Sequence, residues 1–229
     1  MTWIDLGNPF PKPPNDLYQP FRWVTGKIQH LPAALPVASP AVLEVLQQRR
    51  TVRQFASLED AGLADFLWYA CRAHETWPSD LGFELEYRAS PSAGAIHPIH
   101  LVIKRPNDVR WWLYEPRGHF LAELTTAPKA FEGLWEHSQQ VLDGPHATLI
   151  LFLAEPGKTL AKYQEGCSLI WKDAGAQLAT MALAACGLGL NFCPLGITGE
   201  PWASALAEEG QLVGVGLAFL GLAPRTSLR

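Results

Sequence analysis

The chain is predicted to fold as an α+β domain, several helices packed on a sheet of about five strands. Three observations carry that expectation. Thr148 to Ala154 is an unbroken apolar run of strand length, as a central strand covered on both faces would be. Shorter apolar or alternating runs at 99–103, 110–114, 190–195 and 213–222 supply further strands. Apolar residues recur at helical spacing through 39–48, 57–73, 127–142 and 158–186.

The bulk properties agree. The 229 residues suffice for one sizeable domain. A hydrophobic content of 48% with 17% charge describes a globular protein at the apolar end of the usual range. A net charge of −4 leaves no broad basic face for nucleic acid, so clustered arginines point to a small anionic ligand instead. Cys71, Cys167, Cys186 and Cys193 show no Cys-x-x-Cys spacing and mostly sit in apolar surroundings. They read as reduced core residues of a cytoplasmic protein, with no disulfide framework or zinc site. The N-terminus has Asp5 and prolines where a secretory signal would need a basic start and an apolar run. Residues 176–196 are strongly apolar, but Gln177, Thr180, Asn191, Pro194 and the Gly187-Leu-Gly189 break favour a buried helix then a strand over a membrane span.

In chain order, residues 1–37 form a proline-rich arm carrying Trp3, Phe10, Tyr18, Phe21 and Trp23. It is too proline-rich for long regular elements and too apolar for a disordered linker, so it should drape over the domain or over a partner subunit. The domain proper occupies 38–229. Ser39-Pro40 suits a helix start, with Val42, Leu43, Val45 and Leu46 as the apolar face. Ser57 to Asp60 suits a capping box opening a second helix, whose Leu63, Phe66, Leu67 and Ala70 share one face. A loop over 74–82 leads to an alternating strand at 83–87. Strands at 99–103 and 110–114 follow, then a turn at Glu115-Pro-Arg-Gly118 and a return beginning at Phe120. One helix is expected over 127–142, and a long one from about 158 to 186, with a break near Gly166. Gly187-Leu-Gly189 ends it. This Gly-x-Gly follows a helix where a dinucleotide fingerprint must follow a strand, so it is not a Rossmann site.

Two stretches carry chemistry. Ser90-Pro-Ser-Ala-Gly-Ala-Ile-His97 is almost free of side-chain bulk, and Gly94 can take positive φ without steric cost. Pro91 and Pro98 fix φ on either side. Such a loop offers its backbone N–H and C=O groups to a flat polar ligand at the mouth of a strand; it would equally serve as an ordinary turn. The second stretch is Arg49-Arg-Thr-Val-Arg53, whose guanidinium forks and hydroxyl could grip a phosphate. The same arginines could simply complement a helix C-terminus. His97 and His100 are three apart in a segment read as extended, so they point to opposite faces. With no third ligand, no metal site is expected.

Taken together, 49–55, 90–98, Asp-Ala-Gly-Ala-Gln-Leu-Ala at 173–179 with Gly187-Leu-Gly189, and Gly-Leu-Ala-Phe-Leu-Gly at 216–221 resemble the nitroreductase superfamily of flavin mononucleotide (FMN) enzymes. More narrowly they look like its SagB-type branch, the azoline dehydrogenases that mature thiazole- and oxazole-containing peptides. The resemblance covers roughly residues 38–225. Thr51 stands where the family usually has Ser, keeping the hydroxyl, and His97 where it usually has Tyr, which changes the substrate side. The resemblance implies a mostly antiparallel sheet in an intertwined homodimer with FMN at the interface. It implies that Arg49, Arg50, Thr51 and Arg53, with Arg225, hold the FMN phosphate and ribityl chain. Pro91, Ser92, Ala93, Gly94 and Ala95 would face the isoalloxazine ring, and Leu195 and Gly196 would close its other side. His97 would contact substrate. Lys162-Tyr163 matches a Lys-Tyr pair of the azoline dehydrogenases and is the candidate base.

Three functions fit these residues. One is an FMN-dependent dehydrogenase or oxidase of a peptide azoline or related heterocycle, returning electrons to oxygen. Another is an NAD(P)H-dependent nitroreductase or quinone reductase. The third is a flavin-free scaffold or peptide-binding subunit of a biosynthetic complex, against which the intact Arg49, Arg53 and Gly94 argue.

Overall fold

A computed structural model of the chain describes residues 4–13, 17–208 and 210–224. In order, the elements are β1 (Phe10–Pro11), β2 (Thr25–His30), α1 (Val42–Gln48), α2 (Asp60–Cys71), β3 (Ala73–Trp77), β4 (Leu85–Arg88), β5 (Ile99–Lys104), β6 (Trp112–Glu115) and β7 (Phe120–Leu124). There follow α3 (Ala127–Ala130), α4 (Leu134–Val141), β8 (Thr148–Ala154), α5 (Pro156–Lys162), β9 (Tyr163–Gln164), α6 (Cys167–Gly187), β10 (Leu190–Leu195) and β11 (Val213–Leu222).

The α+β class is borne out, but the central sheet has seven strands where about five were expected. Their order is β10-β11-β8-β5-β6-β7-β2, every neighbouring pair antiparallel. The main addition is β2, contributed by the proline-rich arm and paired at the edge of the sheet to the sequence-distant β7, from Thr25↔Leu124 to His30↔Phe120. Its polar sequence shows no alternation because it is an exposed edge strand, held by its ladder rather than by burial. The strand expected at 83–87 lies outside this sheet. It pairs instead with β3, which occupies the expected loop at 74–82.

β8 explains the core. All seven of its residues are buried, and alternate side chains enter two separate clusters. Ile150, Phe152 and Ala154 face Phe66, Leu67, Ile170 and Met181 of α2 and α6. Leu149, Leu151 and Leu153 face Phe131 and Leu134 of the α3–α4 region with Trp111 and Phe219. Both faces are covered, so the strand reads as a continuous apolar run, and truncating Phe152 to Ala would cost about 3–5 kcal/mol.

The helix ends differ in detail from the sequence reading. α1 begins at Val42 with Ala41 as its cap, so Ser39 does not cap it. α2 begins at Asp60 behind Glu59 with no side-chain cap, so Ser57 is not a capping box. The 127–142 helix is two, split at Gly133, whose φ of 77° no right-handed helix accommodates. The 158–186 helix is also two, α5 and α6, parted by β9 and Gly166 near the expected break. All four cysteines are free; Cys71 and Cys193 are buried, whereas Cys167, expected among core residues, is exposed at the start of α6. Among the described residues no helix is long and apolar enough to cross a membrane, and no cluster of His, Cys, Asp and Glu could hold a metal ion.

Candidate functional site

The small-residue loop is wound tightly between β4 and β5. Gly94 has a φ of 65°, and Ala95 and His97 follow at 59° and 48°, left-handed values that cost a non-glycine residue about 1–2 kcal/mol each. The surroundings hold this strained path in place. The Asp173 carboxylate on α6 accepts a hydrogen bond from the Ser92 hydroxyl at 2.5 Å and another from the Ala93 N–H at 3.1 Å. Ser92 Oγ in turn accepts the His97 N–H at 2.9 Å, closing the loop on itself. Asp173 is 7% exposed, and burial raises its carboxyl above the usual range, although the bonds from Ser92 and Ala93 oppose that rise. The anchor was not assigned from sequence; its signal was an acid at a buried position of an otherwise apolar helix.

Lys162 and Tyr163 meet this loop. A Cβ added at Gly94 would lie 2.8 Å from Lys162 Nζ and 3.0 Å from the Tyr163 hydroxyl oxygen, so the pair stands directly over the glycine. Their position is set by the break between α5 and β9, and β9 is pinned by the arm: Pro11 pairs with Tyr163, and Lys12 N–H donates to the Lys162 carbonyl at 3.0 Å. The arm therefore does lie over the domain, beside the loop.

His97, read from sequence as a substrate contact, is buried at the end of the loop. It is 7% exposed, and burial with the nearby Arg88 guanidinium pushes its imidazole down to about 3, so the ring is neutral at ordinary pH. His100 starts inside β5, half-buried, with its Nε2 2.8 Å from Glu155 Oε2. Burial holds His100 below its usual value against the opposing pull of Glu155, whose carboxylate accepts from the ring nitrogen.

The arginine stretch lies at the other end of the sheet. Arg50 is exposed and donates to the Gln47 and Arg49 carbonyls at 2.7 and 2.9 Å, capping the end of α1. Thr51 and Arg53 are exposed and Arg49 is half-buried. The chain beyond them is tied to the β10–β11 pair, with Asn191 donating to the Gln54 carbonyl at 2.8 Å and Ala56 bridging to Leu222. Arg53 is close enough to Cys193 of β10 to act on its thiol. Leu195 and Gly196 close the same strand, half-buried and exposed, with open space where a Gly196 side chain would be. Arg225 lies outside the described residues. The structure thus gathers Ser92, Ala93, Gly94, Lys162, Tyr163 and Asp173 in one place, and Arg53, Leu195 and Gly196 near another. Among the described residues no hydrogen bond or ion pair joins the two groups.

Fold and site together define an α+β protein with a strained, small-residue loop beside a lysine–tyrosine pair. The chain belongs to the nitroreductase family, whose model matches residues 46–209. Membership supports a general flavin-dependent oxidoreductase. Among solved structures, the chain is similar to a protein described as a nitroreductase from Ralstonia eutropha, 20% identical over 95% of this chain and 100% of that one, with a TM-score of 0.61. It is also similar to the Escherichia coli microcin synthetase McbBCD complex with truncated pro-MccB17 bound, at 16% identity over 87% of this chain and 79% of that one, TM-score 0.61. A third, described as a nitroreductase in complex with FMN from Desulfovibrio desulfuricans, is 18% identical over 83% of this chain and 94% of that one, TM-score 0.50. At these identities the likeness is one of fold. No curated protein matches the chain.

Proposed function

We propose that the chain is a SagB-type, FMN-dependent dehydrogenase that oxidises a peptide azoline or related heterocycle and returns the electrons to oxygen. The observation that carries this reading is the placement of Lys162 Nζ and the Tyr163 hydroxyl over Gly94, where a base facing a substrate stacked on the loop would be needed. The residues present fit FMN. The loop has no bulk to obstruct a flat ring, and Arg49, Thr51 and Arg53 provide charge-assisted donors and a hydroxyl for a phosphate. FMN, when bound, supplies the hydride acceptor.

The chain's own residues then divide the work. Ser92 to Ala95, held by Asp173, orient the ring's polar edge. Lys162 or Tyr163 takes the carbon-bound proton as the azoline loses its hydride, which balances the two-hydrogen oxidation to an azole. Arg49, Arg50, Thr51, Arg53 and Arg225 serve the phosphate, with Leu195 and Gly196 closing the far side. His97, whose N–H closes the loop onto Ser92, would contact substrate at the end of the loop. We read residues 1–37 as an arm and 38–229 as the flavin domain of a cytoplasmic homodimer. Two exposed apolar faces support the dimer: Val42, Leu43 and Leu46 on α1, and Trp171, Gly175 and Ala179 at four-residue spacing on α6. A second copy would bring its arginine stretch to this chain's ring loop. The McbBCD similarity supports a peptide as substrate.

The test is the visible spectrum of the purified protein, followed by anaerobic NADPH and then by an azoline-containing peptide in air. A yellow protein that NADPH leaves oxidised, but that converts azoline to azole with consumption of oxygen, is expected. Rapid bleaching by NADPH would favour the nitroreductase reading, which the family match also supports. Lys162→Ala should keep its flavin and lose azoline oxidation; unchanged turnover would remove Lys162 from the chemistry.

A further inference from the structure

A pocket of about 430 Å³ lies beside the two ends of the ring loop, at Arg88 and His100, between the arm and the β4, β5 and β6–β7 segments. None of the residues assigned above to flavin or catalysis lines it. Its floor is made by the Glu155-Pro-Gly-Lys158 turn, where the buried β8 passes directly into α5. That passage carries two ionisable side chains into the interior: Glu155 is fully buried and Lys158 is 7% exposed.

Each carboxylate lining this pocket accepts at least one hydrogen bond. Glu155 Oε1 accepts from the Tyr18 hydroxyl at 2.8 Å and the Phe21 N–H at 2.6 Å, and its Oε2 from His100 Nε2 at 2.8 Å. Glu86 is gripped by Arg88 Nε at 2.7 Å and Arg117 Nε at 2.8 Å. At the rim, Glu84 accepts from Arg117 Nη1 at 2.5 Å, and Glu115 from the Arg117 N–H at 3.1 Å. Lys158 is the exception. Its ammonium has three donors and, among the described residues, one partner, the His97 carbonyl at 3.5 Å, the outer limit of a hydrogen bond. Beneath it lies the Phe83 ring, 5.0 Å from Nζ. A buried ammonium so poorly matched is costly unless an acceptor is supplied. Burial, with Arg88 nearby, pushes it down to about 8 against the opposing pull of the Glu155 and Glu86 carboxylates, and a bound anion would add to that pull. The remaining wall is aromatic, with Phe21 edge-on to Trp23 at 4.9 Å and Trp23 edge-on to His100 at 5.2 Å.

We propose that this pocket binds a small aromatic carboxylic acid, its carboxylate on Lys158 and its ring against Phe83 and Trp23. An acceptor-only group is what two buried carboxylates already bonded to other donors and an ammonium with a single long hydrogen bond select, and the volume lies in the range of small-molecule sites. The proposal does not depend on the azoline reading.

The test uses the full chain as purified with its flavin, titrated calorimetrically with benzoate and, separately, with the neutral isostere benzamide. Benzoate should bind in the sub-millimolar range without altering the flavin spectrum, and benzamide at least tenfold more weakly. Lys158→Met should weaken benzoate at least tenfold. Should that variant fail to fold, Arg117→Gln, at a half-exposed rim residue, should weaken it severalfold. Equal affinity for benzoate and benzamide, undiminished binding in the variant that folds, a benzoate-induced flavin shift, or no binding to the wild type would each overturn the proposal. Binding of a peptide ending in phenylalanine without binding of benzoate would overturn the assignment to a free acid.

Discussion

Replacing Asp173 by alanine tests whether the ring loop is held by that one carboxylate. The substitution strands two donors, the Ser92 hydroxyl and the Ala93 N–H. A hydrogen bond to a charged acceptor contributes about 1.5–3 kcal/mol, and a buried donor left bare costs about 1–3 kcal/mol. Set against this is the cost of burying the carboxylate, which its raised pKa records and which alanine removes. A net loss of about 2–4 kcal/mol remains. For a chain of this size that corresponds to a fall in Tm of about 5–15 °C at fixed protein concentration. The loop also loses the tie that keeps Gly94, Ala95 and His97 at positive φ, so FMN should dissociate on the order of tenfold faster or more, tenfold being about 1.4 kcal/mol. Asp173→Asn keeps an acceptor for Ala93 and should fall between the two. The pH dependence adds a sign. Because the folded pKa is raised, the unfolded chain ionises first, so this group's contribution is fully present below the usual carboxylate range and is lost as pH rises through the raised value. The Asn variant should lack that decline. A Tm within about 2 °C of wild type with unchanged flavin release, both read on Asp173→Ala, would refute the anchoring argument.

Three further outcomes are expected. Arg53→Ala should lose FMN on purification while Arg50→Ala, whose guanidinium is occupied with the α1 carbonyls, should retain more of it; stoichiometric flavin in the first variant removes the phosphate assignment. Gly94→Ala should cost about 1–2 kcal/mol in a denaturant titration, from its left-handed φ. It should also displace Lys162 Nζ, seen as a loss of turnover larger than the loss of stability. Glu155→Ala strands Tyr18, Phe21 and His100, so about 3–5 kcal/mol should be lost and the arm should become protease-sensitive. Burial pushes the Glu155 carboxyl up, but the bonds from His100, Phe21 and Tyr18 outweigh it and hold the carboxyl below its usual value. Its stabilisation is therefore present above the usual carboxylate range and lost as pH falls through the lowered value, and acid unfolding of Glu155→Gln should show a shallower dependence there.

Much of the frame and part of the site could be read from neighbouring residues. β8, β10 and β11 have the limits expected of them; for β8 and β11 the reason is that a strand buried on both faces needs apolar residues throughout and ends where they end. Gly94 announced its left-handed turn, since absence of a Cβ is a property of the residue itself. Lys162 and Tyr163 follow from the resemblance, and a break in the long helical pattern was visible at Gly166, close to where α5 stops at Lys162. What depended on residues meeting across the fold was not legible. β2 is polar and exposed, and only its ladder to β7 makes it a strand. The Ser92–Asp173 bond spans 81 residues, and either partner alone reads as an ordinary turn serine or a helical acid. In sequence Glu155 is merely the residue after an apolar strand, and Lys158 the start of a helical pattern. Burial made them a charged pocket floor once the arm, 134 residues earlier at Phe21, folded over them. Local pattern determines where backbone can be helix or strand, because propensity and periodicity act between near neighbours. The partner of each buried polar group is decided by tertiary structure, because a hydrogen bond has no preferred sequence separation.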